Sequence, residues 1–146
     1  MNRKRSRLLN LSVVLLVALM AWPQEPPPAE KPVESERRKG PGGLEGWTLL
    51  SSIPNDATQQ YAFTLVLARS GHVVRRISGD PLVWNWMFRA DGKQVAYESG
   101  PLHFGMSCIL ADIESGRQLA TFDCYHKLPD NAPDWVVKLE AMQLSR

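Results

Sequence analysis

The sequence predicts a mainly β fold: a small antiparallel meander or sandwich of hairpins, closed by a C-terminal amphipathic helix and preceded by a signal or anchor segment and a disordered linker. Three observations predict it. Short runs of β-branched and aromatic residues recur and are split by Asp-Gly and Ser-Gly turns, the pattern of antiparallel hairpins. The apolar period then switches from strand-like to helical near the C-terminus. Ahead of both stands a basic head followed by an apolar run.

That head comes first in the chain. Arg3, Lys4, Arg5 and Arg7 precede the apolar run from Leu8 to Trp22, which is interrupted by Asn10 and Ser12. Cations followed by an apolar stretch of roughly 7 to 15 residues make a secretory signal. Residues 1–22 are therefore expected to be a signal peptide or membrane anchor. Leu19-Met20-Ala21 offers one of the two small residues that cleavage wants. The run is also shorter than the roughly 20 residues that cross a bilayer comfortably, so removal and retention both stay open. The domain is expected outside the cytoplasm: periplasmic, secreted, or held at the membrane if the segment is uncleaved.

From Pro23 to Gly46, Pro23, Pro26, Pro27, Pro28, Pro32 and Pro41 lie among Glu, Lys, Arg and Gly. Such a stretch has little to bury against the entropy of ordering it. Residues 23–46 are expected to form a Pro/Gly-rich disordered tether.

The remaining residues, 47–146, suffice for one compact domain. The formal charge of the whole chain is +2. From Trp47 onward nine Lys plus Arg face ten Asp plus Glu, so the basic excess belongs to the N-terminal segments. No basic stripe marks the domain, and no nucleic acid is expected as a partner.

The predicted strands run in order. Trp47–Ile53 ends at Pro54-Asn55-Asp56, and Tyr61–Leu67 ends at Arg69-Ser70-Gly71. His72–Ile77 is closed by Ser78-Gly79-Asp80-Pro81, and Leu82–Phe88 by Ala90-Asp91-Gly92-Lys93. Gln94–Glu98, Gly105–Ile113 and Arg117–Cys124 follow, the last two joined by Glu114-Ser115-Gly116. Asp130-Asn131-Ala132-Pro133-Asp134 then supplies helix-start chemistry. Trp135, Val136, Leu139 and Met142 share one helical stripe, so a helix is expected over 132–143.

Two stretches resemble repeats of the TolB-type, WD-repeat-like β-propeller. Phe88-Arg-Ala-Asp-Gly-Lys-Gln-Val-Ala-Tyr-Glu-Ser99 is similar to that family's strand–turn–strand core, and Cys108–Leu119 resembles its next hairpin. Arg89-Ala90 stands where the family usually has Ser-Pro. The resemblance covers about one and a half units, whereas a closed propeller takes four or more blades. It implies propeller-like hairpins, not a single-chain ring, and brings no catalytic residue to this chain. Assembly of several copies is the other way such hairpins could close.

Cys108 and Cys124, the two cysteines of the chain, flank the Ser115-Gly116 turn on strands expected to be neighbours. Outside the cytoplasm such a pair is a disulfide candidate; two buried free thiols are the alternative. His103 and His126 flank them, but the spacings match no common zinc framework. Neither a metal nor a cofactor is expected. Trp84, Trp86 and Phe88 alternate along one strand, so all three are expected to point to one face, as core or as an exposed platform. The loop Gly100-Pro101-Leu102-His103-Phe104-Gly105 is the second candidate binding surface. No nucleophile elbow, phosphate loop or metalloprotease helix occurs.

These readings point to an envelope binding module for a protein or glycan, with Trp84, Trp86, Leu102, His103 and Phe104 as its binding candidates. The alternatives are a small envelope hydrolase or metal-dependent enzyme using His103 and His126, or a truncated relic of a larger propeller protein.

Overall fold

A computed structural model describes residues 31–143 except 36, 54, 55, 103 and 104. The signal or anchor segment 1–22 and linker residues 23–30 lie outside the described residues. Nine strands and one α-helix follow in order: β1 Val33–Glu34, β2 Arg38–Lys39, β3 Leu44–Ile53, β4 Asp56–Arg69, β5 His72–Ser78, β6 Leu82–Phe88, β7 Gln94–Gly100, β8 Ser107–Asp112, β9 Gln118–Asp123 and α1 Asp134–Gln143. A 3-10 turn, Pro41–Gly43, leads from β2 into β3.

The strands form two antiparallel sheets. The first has the order β1-β3-β4-β5, with β2 also paired to β3; the second is the meander β6-β7-β8-β9. Short loops of turn-forming residues dictate this neighbour-to-neighbour order. Arg69 pairs with His72, so Ser70 (φ 51°) and Gly71 (φ 81°) alone turn the chain, both in the positive-φ region that matches strand twist. Asp91 Oδ1 accepts the Lys93 amide at 2.9 Å, and Asp112 Oδ1 accepts that of Ser115 at 2.7 Å. Gly116 takes φ 73° beside the latter.

The predicted tether requires correction. Residues 33–46 contribute β1, β2, the 3-10 turn and the first three residues of β3. Ser35 explains part of this, since its amide donates to Thr48 O at 2.9 Å and its Oγ accepts the Thr48 amide at 2.7 Å. Leu44, only 2% exposed, enters the core. Composition undervalued the segment because its order comes from pairing to β3 and not from its own apolar content. Among the described residues strand pairing starts at Val33, ahead of the expected Trp47.

The sheets pack face to face. Leu44, Leu65 and Leu67 of the first meet Val83, Trp86, Val95, Tyr97, Ile109 and Ala111 of the second, with the residues from each strand mostly two apart. The opposite face of the second sheet is covered by α1. Ala96 and Cys108 lie there against Trp135, Val136 and Leu139, three of the four predicted stripe residues. Asn85, 1% exposed, docks the helix by donating from Nδ2 to Leu139 O at 2.8 Å. The fold is thus sheet, sheet, helix, and the helix starts two residues later than expected.

Candidate functional site

Cys108 and Cys124 form a disulfide, with Cα atoms 5.7 Å apart. Cys108 pairs with Phe122 across β8 and β9, so Cys124 stands one diagonal step further, as the turn at Ser115-Gly116 allows. Glu140 of α1 approaches it, with Oε1 3.9 Å from Cys108 Sγ. Among the described residues, Cys108, Cys124 and Glu140 are the one group whose ligand atoms cluster closely enough to hold a metal ion. Both sulfurs are spent in the disulfide, so no thiolate is offered there. Burial raises the Glu140 carboxyl above its usual range, and a hydrogen bond with Glu98 partly offsets this. Glu98 itself is fully buried on β7.

A different feature gathers polar and aromatic groups around open space. Where β3 and β4 of the first sheet face β6 of the second, a cleft of about 540 Å³ opens, within the size range of small-ligand sites. The first sheet contributes Thr48, Leu50, Gln60, Tyr61 and Ala62, and the segment before β3 adds Ser35 and Arg38. Leu82, Val83, Trp84 and Trp86 of β6 form the opposite wall.

The β6 wall depends on a bulge, and this corrects the expected alternation. The register moves from Val83↔Ser99 to Trp86↔Tyr97, three residues against two. Val83 and Trp86 consequently join the same core cluster, and Trp84 does not share the regular face of Trp86 and Phe88. Trp86 is 4% exposed and meets Phe88 edge-on at 5.4 Å. Half-buried Trp84 instead donates from Nε1 to Gly100 O at 3.0 Å. Bulges re-aim side chains in this way. Asn85 in the bulge accepts the Trp86 amide at 3.0 Å and fixes the distortion.

Trp84 is thereby tied to the start of the 100–105 loop, so two of the candidate surfaces meet at one end of the molecule. Leu102 is half-buried in that loop, whereas His103 and Phe104 lie outside the described residues. His126 is exposed and paired with Asp123 at 3.0 Å. This bond lowers the pKa of the Asp123 carboxyl, with the Tyr125 amide as the next contributor.

Among the described residues Arg38 is the one charged residue of the lining. It reaches across from β2 and donates from Nη1 to Trp86 O at 2.8 Å, with its guanidinium carbon 4.9 Å from the centre of the Trp86 ring. Tyr61 bonds Gln59 Oε1 at 2.7 Å and Asp56 Oδ2 at 3.3 Å. Burial first, then the Asp56 charge, raises its phenol pKa, so the hydroxyl stays protonated at neutral pH. Asp56 is lowered chiefly by the Thr58 hydroxyl. Sequence reasoning found Trp84 and Trp86 but missed Arg38, Ser35 and the β3–β4 wall. Leu44-x-Gly46, extending the strand before Trp47, was the available sign that ordered structure begins earlier.

Compared with family models, curated proteins and solved structures, the chain matches none.

Proposed function

We propose that this chain is an exported or membrane-tethered, non-enzymatic binding module of the cell envelope, whose cleft between the two sheets receives part of a protein or glycan partner. The cleft carries the reading: Trp84 and Arg38 stand together at an opening of ligand size, and indole and guanidinium groups are the side chains that anchor interfaces most often. The basic, apolar leader supports export. The disulfide fits an oxidising compartment and so supports a domain that works outside the cytoplasm.

The propeller-like character belongs to the hairpins. The meander β6-β7-β8-β9 has the four antiparallel strands of one blade, and the sandwich stacks a second sheet against it. The other face of the meander is covered by α1. A further blade, from this chain or another copy, has no room on that face while the helix is docked. Self-assembly would have to use another surface.

The test has two parts. A reporter enzyme that works only after export, fused after Arg146, is expected to be active and to lose activity when Arg3, Lys4, Arg5 and Arg7 are changed to Glu. Wild-type domain coupled to beads is expected to retain an envelope component that Ala62→Trp, which fills the cleft, does not retain. A reporter confined inside the cell, or capture indifferent to the filled cleft, would remove the proposal.

A further inference from the structure

Two neighbouring arginines meet different surroundings. Arg37 stacks over the Trp47 ring at 3.6 Å and is neutralised by Glu34 at 2.9 Å and Glu45 at 3.4 Å. Arg38 points the other way, into the cleft, and forms no ion pair among the described residues. Among the described residues the lining contains no Asp or Glu. The Arg38 guanidinium is nevertheless held in place, by the Trp86 carbonyl at 2.8 Å and by the Trp86 ring. Its half-buried side chain keeps a partly desolvated cation with further N–H donors at the cleft wall. A planar fork fixed in this manner suits a carboxylate, which can take two parallel hydrogen bonds from it.

The rest of the wall narrows the carrier of that carboxylate. The Ser35 and Thr48 hydroxyls bond each other at 2.9 Å and the Tyr61 proton is used on Gln59 and Asp56, so the rim offers hydroxyl-bearing matter the Gln60 amide and the Tyr61 oxygen as an acceptor. Trp84 is half-buried, its N–H already spent on Gly100, so a ligand meets the indole as a hydrocarbon surface. A peptide adding a strand to β6 would need the Trp86 carbonyl, and Arg38 occupies it.

Resting on the cleft-binding reading above, we infer that the ligand is an acidic sugar, a uronate-type ring whose carboxylate docks on Arg38. Its C–H face lies against Trp84, and its hydroxyls meet Gln60 and Tyr61. The pairing is non-covalent, and no bond is made or broken.

Calorimetric titration of the whole domain with trigalacturonate tests this. Binding is expected, and methyl esterification of the sugar should weaken it roughly tenfold or more, the loss that follows from removing hydrogen bonds to a charged group. Arg38→Gln should reproduce that loss and Arg38→Lys should fall between, keeping the charge but not the fork. Thermal unfolding shows whether each variant is folded, and the ester comparison uses unaltered protein if Arg38→Gln is not. Equal affinity for acid and ester overturns the inference. So does an affinity unchanged in folded Arg38→Gln, an absence of heat with trigalacturonate, or equal binding of N-acetyl-dialanine, a carboxylate without a sugar ring. Partner capture that Ala62→Trp blocks and Arg38→Gln leaves intact would remove the acidic sugar and keep the cleft reading; capture indifferent to Ala62→Trp would remove the cleft reading itself.

Discussion

Trp86 packs against the bare α-carbon of Gly46: a Cβ built there would stand 2.7 Å from Trp86 Cη2 and 3.3 Å from Leu67 Cδ2. The indole can cross between the sheets at this level because β3 presents no side chain. The same ring carries the Arg38 guanidinium on its other contacts, so the packing of one glycine bears on the geometry of the cleft.

Gly46→Ala should therefore destabilise the domain. Overpacking of a filled core costs about 1–3 kcal/mol, and the neighbours here are the benzo edge of a core indole and a buried Leu. Urea unfolding followed by tryptophan fluorescence is expected to show a lower midpoint with an unchanged slope. A midpoint equal to wild type would mean that Trp86 moves aside freely.

The two tryptophans of the cleft should separate in their effects. Trp86→Ala removes a residue 4% exposed in the sandwich core and should cost about 3–5 kcal/mol. Trp84→Ala removes a half-buried ring from the bulge, outside the core cluster. It should cost clearly less and leave the β signature in circular dichroism. Equal losses would show that Trp84 is core as well.

Reduction of Cys108–Cys124 should lower stability by about 3 kcal/mol in the chain-entropy model, given a sequence separation of 16. The paired change Cys108→Ser with Cys124→Ser gives the same comparison without reductant. Intact mass with and without reduction before alkylation reports the bond itself: two alkyl additions are expected only after reduction.

Acid–base behaviour near the helix has a definite sign. Burial raises the folded-state pKa of Glu140 above its ordinary 4.5. Between that value and the raised one, the native state holds a proton that the unfolded chain has released. Its contribution to stability is present at lower pH and falls as pH rises through this window. Glu140→Gln, which stays neutral, should flatten this part of the stability–pH curve and should not weaken the domain at neutral pH. Urea midpoints measured from mildly acidic to neutral conditions decide it; parallel curves for variant and wild type would refute the account.

Asn85→Leu should loosen α1. The change deletes the donor to Leu139 O and the acceptor of the Trp86 amide together in a site 1% exposed. Leaving the buried Trp86 amide without this acceptor costs about 1–3 kcal/mol, and the tie from β6 to α1 is lost with it. Faster amide hydrogen exchange in α1 and in the β6 bulge is the expected readout.

Local chemistry made much of the fold legible. β-Branched and aromatic runs with Asp-Gly and Ser-Gly between them marked seven strands, because Asp91, Gly92, Asp112 and Gly116 encode their turns within four residues. Trp135, Val136 and Leu139 marked the helix, because one stripe needs only its own spacing. The disulfide was legible as a possibility for the same reason, both cysteines being measured from one hairpin. Other features had no local signature. Strands β1 and β2 form by pairing to β3, and the β6 bulge comes from a three-against-two register with β7. The cleft exists only because Arg38, Tyr61 and Trp84, far apart in the chain, are set on facing walls by the packing of two sheets. Short-range turn and period rules are carried by neighbouring residues, whereas register, burial and site geometry arise between distant ones; the sequence determined the elements, and the tertiary structure alone decided what they enclose.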